Sequence, residues 1–441
     1  MSSMTPTQLK ANRLVTEEFI ANNFYDHLTE RLHFANNINR QYEADFNDSQ
    51  MKHGDEIFIR LPAQYNVRYG QTIKPQETLE NYDSIVLGKQ FGVDMTFSSR
   101  EIRLDVNVLS DYFKDAAILM ASKLEAILFN TLVPKVYNHI VVKLDSEAGD
   151  FGRESGDQWM DALRSVGLLM DSKLVPAQNR KILVNDLDRA RMVDYLKDGF
   201  EDSGSLKRQW ATGQMGRFMG FDHFTSLNIP FKRGLGNVSR FDAIDSTLVG
   251  RVSSLTTQKG VASNLSGQGR YSELYQPGDL FQIADVYQLH DETKHEIRDY
   301  NQGFVVSSVD DYQLEFEPAI HLVDSAQDSP DETESPFQNV RAGPLTAGTP
   351  IRFSQPLGAD KVYRENLAFH RDAFTLVVPD LPLPEGTDNA FRIKPPGEKF
   401  SIRCIKDYDI ETDQFKIRFD MMLGCKTIDP RMAVRILVDE G

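Results

Sequence analysis

Nine histidines, two cysteines and several adjacent carboxylates are the residues of this 441-residue chain from which chemistry could start. His290 and His295 flank Asp291-Glu292-Thr293-Lys294, a stretch that offers imidazoles and carboxylates to a cation. Zinc sites add cysteines or set two histidines on a helix as HExxH, and neither is present, so the stretch reads as a solvated hairpin turn. His370 stands beside Arg371 and Asp372, a combination that suggests acid–base work. There is no Gly-x-Ser-x-Gly elbow, however, and Cys404 and Cys425 lie in strand-like text with no histidine near them in sequence. His370 therefore reads as a strand or turn residue satisfied by backbone. Glu17/Glu18 and Asp310/Asp311 are sequence neighbours, whereas glycosidase carboxylates converge from different elements. Gly234-Leu-Gly236 and Gly267-Gln-Gly269 lack the third glycine and the following helix of a dinucleotide loop. The chain is expected to be no enzyme and to hold no cofactor and no metal.

Composition frames that expectation. Hydrophobic residues at 40 % and charged residues at 26 % describe a folded chain, and its length favours two or three domains. No apolar run is expected to span a bilayer. Met1-Ser-Ser-Met-Thr-Pro-Thr7 carries neither the basic nor the apolar region of a secretion signal. Two cysteines in strand text predict reduced, buried thiols and assembly in a reducing cytoplasm. A net charge of −16 argues against a nucleic-acid-binding protein, which needs a concentrated basic surface. It is compatible with a container whose acidic wall does not adsorb DNA.

The elements that would position any site follow from periodicity. Leu14, Phe19, Ile20, Phe24, Leu28 and Leu32 predict a helix over 8–33, an amphipathic arm that must dock on its own chain or a neighbour. Residues 56–62 and 84–97 read as two strands, the second interrupted at Gly88 and Gly92, joined by polar text into a protruding β-hairpin that needs a partner surface. From Asp105 to about Asn138 runs the longest helical signal. Leu109, Phe113, Ala116, Met120, Leu124, Ile127 and Leu128 form its apolar stripe, with Asp111, Lys114, Lys123 and Glu125 outside it. Asp105 or Asn107 is its expected N-cap, and Pro134 is expected to kink or end it. About thirty residues make a rod of roughly 45 Å.

Helix signals at 159–170 and 186–196 alternate with strand signals at 180–185 and before Ile229, a compact α/β unit. From Phe231 glycine and serine become frequent, and strand runs at 280–286, 303–309 and 312–316 predict an inserted β-barrel or sandwich. Its acidic stretch over 323–334 reads as a mobile loop. The α/β unit resumes near Tyr363. Phe415, Ile417, Phe419 and Met421 then alternate with Lys416, Arg418 and Asp420, a half-buried strand that Gly424 is expected to break. After a turn at Ile428-Asp-Pro430, the alternation of Val434, Ile436 and Val438 predicts a last strand.

Several segments of the last third, taken in order, resemble the C-terminal region of the P22-type major coat proteins of tailed bacteriophages. They are Asn366-Leu-Ala-Phe369-His370-Arg-Asp-Ala373-Phe374, Leu381-Pro-Leu-Pro384, Arg403, Asp407-Tyr-Asp409-Ile410, Asp413, Arg418-Phe-Asp420-Met-Met-Leu-Gly424-Cys-Lys426-Thr427, Pro430 and Ala433-Val434-Arg435. The resemblance implies an α+β HK97-like capsid fold. Its parts would be an N-terminal arm (1–52), an extended β-hairpin loop (53–104) and a peripheral domain with a spine helix (105–150). An axial domain (151–230), an inserted β-barrel-like domain (231–350) and the axial remainder with C-terminal peripheral strands (351–441) would follow.

The resemblance also implies a function. The chain would self-assemble as hexamers and pentamers into an icosahedral virion head around double-stranded DNA. Scaffolding protein and portal would be its partners, with no sequence-specific DNA binding and no membrane. Arg60, Arg68, Lys89, Arg100 and Arg103, on and beside the hairpin, would meet acidic groups of a neighbouring subunit, or else simply protect an edge strand by charge. An encapsulin-like nanocompartment is the first rival reading and a dispersed-site hydrolase the second.

Overall fold

The computed structural model describes residues 24–42, 56–60, 82–98, 106–144, 153–199, 216–234, 242–243, 251–256, 275–290, 296–310, 313–321, 339–341, 350–355, 361–384, 389–394 and 400–439. The arm over 1–23, the acidic stretch over 323–334, Asp105 and His295 lie outside them. The chain divides into two compact units, one of Met1–Ile59, Ser84–Leu128 and Thr375–Lys426, the other of Arg60–Asp83, Phe129–Phe374 and Thr427–Gly441.

The first unit is organised by an aromatic and aliphatic core. Its long helix, Val106–Leu132, ends where expected, because Pro134 lies in the 3-10 turn Val133–Lys135. Asn107 falls inside this helix and does not cap it. Phe113, Ala116, Met120, Leu124 and Leu128 are buried as the stripe requires, joined by Ala117 and Ala121. Glu125, expected outside the stripe, is fully buried. An 18-residue window within Asp111–Lys135 is apolar enough to cross a membrane by length and composition, contrary to expectation. In this fold that apolarity serves a protein core. Phe113 meets Phe419 edge-on at 5.9 Å, and Phe24 stacks on Phe419 at 4.1 Å.

The arm is helical over 24–29 and then turns, so the helix stops short of His33. Phe24, Leu28, Leu32, Phe34 and Ile38 are buried, which shows this part of the arm docked on its own chain. The Tyr25 hydroxyl accepts the Phe400 amide at 3.2 Å. The strand Gln414–Thr427 lies at the centre of a five-stranded sheet, with Lys89–Ser98, Ile402–Asp409 and Phe374–Val377 as partners and Ala390–Ile393 beyond. It runs through Gly424, which does not break it: a Cβ there would approach the Val86 carbonyl to 3.0 Å. Glycine is needed at position 92 for the same reason, since a Cβ would come within 2.2 Å of the Phe419 carbonyl. Two separate strands thus replace the single run expected over 84–97, for Tyr82–Val86 pairs with Glu56–Arg60 while Lys89–Ser98 joins the larger sheet. Asp420, expected to face solvent, is buried and paired with Arg403 and Arg418, each at 2.7 Å.

The second unit holds two seven-stranded sheets. One has the order His139–Lys143, Ala433–Asp439, Val362–His370, Arg180–Val184, Phe221–Thr225, Arg217–Phe218, with Phe231–Arg233 also paired to Val362–His370. Its pairings are mixed: Ala433–Asp439 runs parallel to His139–Lys143 and antiparallel to Val362–His370. On one face pack the helices Arg153–Ser172 and Asp186–Gly199. Trp159, Leu163, Val166 and Met170 meet Ile182, Ala368, Val434, Ile436 and Val438 in a single core, so the period-two signal of the last strand marks its helix-facing side.

The other sheet is antiparallel: Arg251–Thr256, Gln313–His321, Glu296–Val309, Leu280–Leu289, Pro350–Phe353, Asp242–Ala243, with Val340–Arg341 beside Leu280–Leu289. It has its own core of Phe281, Phe304, Phe316, Ile283 and Tyr275. In sequence it lies between Phe231–Arg233 and Val362–His370 of the mixed sheet.

Candidate functional site

Among the five basic residues expected at an interface, Arg60 closes the strand Glu56–Arg60 and Lys89 opens Lys89–Ser98. Arg68, Arg100 and Arg103 lie outside the described residues. His370 ends the strand Val362–His370, and its Nδ1 accepts the Asp372 amide at 3.3 Å. Burial lowers its pKa. Cys404 is a buried thiol and Cys425 a half-buried one, with no disulfide between them. Among the described residues no cluster of three or more His, Cys, Asp or Glu could hold a metal.

What the structure does assemble is a seat for the inserted sheet on the mixed sheet. Leu280 and Val305 of the insert pack with Tyr137, Tyr363 and Leu437, a small core on the face opposite the helices. Here the backbone comes close, and Gly303 is required because a Cβ would sit 2.5 Å from the Tyr137 carbonyl. Polar bonds ring this core. Lys173 Nζ donates to Gln302 Oε1 at 3.4 Å, Gln288 Nε2 donates to Ser172 Oγ at 3.2 Å, and His139 Nε2 meets Ser354 Oγ at 2.5 Å.

At the centre is Arg435, wholly buried in the last strand. Its Nη1 donates to the carbonyl of Gly278 in the insert at 2.8 Å and to that of Val136 at 3.4 Å, while its remaining nitrogens pair with Glu365. Lys232 closes on the same carboxylate from the neighbouring strand. Burial pushes the Glu365 carboxyl up, but the charges of Arg435 and Lys232 with their hydrogen bonds outweigh it and hold the group below its ordinary value. Asp279, in the same turn as Gly278, is raised by burial to about 6. His139 is lowered by burial to about 4 and is neutral at pH 7.

A second ionic clamp lies under the helix face. Asp188, in the first turn of Asp186–Gly199, accepts a two-pronged contact from Arg364, Nη2 to Oδ1 at 2.8 Å and Nε to Oδ2 at 3.0 Å. Asn366 Nδ2 adds a bond at 2.7 Å and Arg191 approaches to 3.4 Å. The planar guanidinium suits that bidentate geometry. These arrangements fix one layer to another.

Residues 261–437 match the family model described as P22 coat protein - gene protein 5. The matched stretch is less than half of the chain. The match runs from the inserted sheet to the last strand, so Gly278, Glu365 and Arg435 all fall within it. Among solved structures this protein is similar to a chain of Mycobacterium phage Che8, at 12 % identity, 91 % and 90 % coverage of the two chains and a TM-score of 0.44. It is also similar to a chain from the capsid structure of the Cyanophage P-SCSP1u, at 10 % identity, 89 % and 85 % coverage and 0.44. A virus-like particle from Pyrococcus furiosus gives 9 % identity, 95 % and 98 % coverage and 0.39. No curated protein matches the chain.

The described residues form an α+β fold. Sequence reasoning missed the seat. The available signal was Arg435 itself, a charge inside the apolar alternation of Val434, Ile436 and Val438, with Glu365 a strand away.

Proposed function

We propose that this chain is a P22-type coat protein that builds an icosahedral phage head, assembling as hexamers and pentamers around double-stranded DNA. The family match over 261–437 carries this reading. Its physical support is that the buried charges serve layer-to-layer fixation, which is what a subunit bearing load on several sides requires. Closed symmetry multiplies modest contacts with each neighbour into a stable wall. Scaffolding protein and portal are the partners this reading implies. The enclosed DNA is held without sequence-specific contacts, no enzyme chemistry is required, and assembly takes place in the host cytoplasm.

The five basic residues Arg60, Arg68, Lys89, Arg100 and Arg103 are proposed to face acidic groups of a neighbouring subunit. Negative-stain microscopy of the purified protein, alone and with candidate scaffold, tests the reading. Closed shells are expected, and fewer of them after Arg60→Glu or Lys89→Glu. Monomers or small closed oligomers under every condition, together with turnover on a substrate panel, would reverse it.

A further inference from the structure

The long helix Val106–Leu132 buries one residue that its own periodicity assigns to solvent. Glu125 is fully buried, and its carboxylate faces the 3-10 turn Ala35–Asn37 of the arm. The amide of Phe34 donates to Oε1 at 3.0 Å and to Oε2 at 3.1 Å, and the amide of Ala35 donates to Oε1 at 3.0 Å. That turn has no side-chain cap at its own N-cap position, Phe34. Glu125 supplies one from 91 positions away in sequence. Around it Leu32, Phe34, Ala35 and Ile38 are buried, so the segment is fixed by apolar contact and by this carboxyl.

Among the described residues no cation accompanies it. Burial favours the acid and the two amides favour the anion, with no charged side chain among the described residues contributing. Of the charged groups nearest in sequence, Lys123 on the helix and Glu30 and Arg31 on the arm are exposed, and His33 is half-buried. Burial wins over the amides and raises the carboxyl to about 7.

We propose that Glu125 is a proton-operated latch: with its proton it seats the arm on the long helix, and loss of that proton loosens the arm. An ionised carboxylate kept from water without a cation is costly, and release of the arm lets water reach it. The direction follows from linkage. The group holds its proton more tightly in the seated state than in the released one, so the seat is strongest below the ordinary carboxyl value of 4.5. It weakens as pH rises from there through about 7 and then levels off. Within that window each pH unit shifts the seated-to-released ratio by up to about tenfold. Arm release thereby becomes a response to rising pH that needs no ligand, and it rests on this chain's own fold whatever the subunit assembles into.

Hydrogen exchange of the Phe34 and Ala35 amides in the full chain, at pH 5 to 8 and corrected for intrinsic rates, tests the latch. Protection is expected to fall roughly fortyfold from pH 5 to 7 and to level off by about pH 8. Glu125→Gln keeps an acceptor and loses the titration, so its profile should be flat. A flat wild-type profile, or a fall that persists in E125Q, would overturn the proposal. If E125Q does not fold, the Ile417 and Phe419 amides of the same wild-type sample serve as the control. They should stay level, and a fall shared with them would mean general loosening and would equally overturn it.

Discussion

The carboxylates buried in the mixed sheet and the one buried under the arm are held by opposite means. In the unit with the mixed sheet, Asp188 and Glu365 each lie against two cations, Arg364 and Arg191 for the first, Arg435 and Lys232 for the second. In the unit with the long helix Asp420 is likewise paired with Arg403 and Arg418, but Glu125 has, among the described residues, the amides of Phe34 and Ala35. A carboxylate clamped by cations acts as a rivet, whereas the proposed latch at Glu125 acts as a switch. The difference separates what must hold from what can let go.

Asp188→Asn should break the comparison hardest. It strips Arg364 and Arg191 of their counter-ion in a buried site, and about 3–5 kcal/mol of stability should be lost in a denaturant melt. Arg435→Met should cost somewhat less, about 3 kcal/mol, because Lys232 still neutralises Glu365, and the insert should detach first. The Leu280 and Val305 amides should then exchange faster than those of Ile182 and Val184. Glu125→Gln at pH 8 should do the reverse and leave the melt unchanged or raise it. A loss as large as that of Asp188→Asn would erase the distinction between rivet and switch. Gly303→Ala, which forces a Cβ against the Tyr137 carbonyl, should cost about 1–3 kcal/mol by the same melt.

The smallest effect concerns pH at the seat. His139, lowered to about 4, makes the seat weaken as pH falls below 6.5, because the unfolded chain takes the proton first. Asp279, raised to about 6, weakens the seat as pH rises from 3.8, so over 4 to 6 the two slopes oppose each other. Asp279→Asn should uncover the acid sensitivity of His139 as faster exchange of the Ile140 and Val141 amides at pH 5 than at pH 7. Equal exchange at both would show that the compensation is absent.

Legibility in the sequence followed locality. The long helix and its end at Pro134, the central strand around Ile417 and Phe419, and the helix-facing side of Val434, Ile436 and Val438 were all readable, because each depends on a period set by neighbouring residues. Glu125 and Asp420 were misassigned to solvent because their partners are elsewhere: the arm for one, Arg403 on the adjacent strand for the other. Gly424 was read as a breaker, although its role is to let residues 85–87 approach. The seat escaped for a similar reason. Residues 363–370 and 433–438 are buried on both faces, since the insert covers the side that alternation alone leaves open. An insert that folds on its own core gives no local sign of the surface it covers.

Sedimentation velocity on the purified full chain, with microscopy of each separated species, tests the central claim most directly. The account predicts a discrete, fast-sedimenting population of closed shells. A chain that remains monomeric or dimeric at every concentration and salt, with or without scaffold, would contradict it.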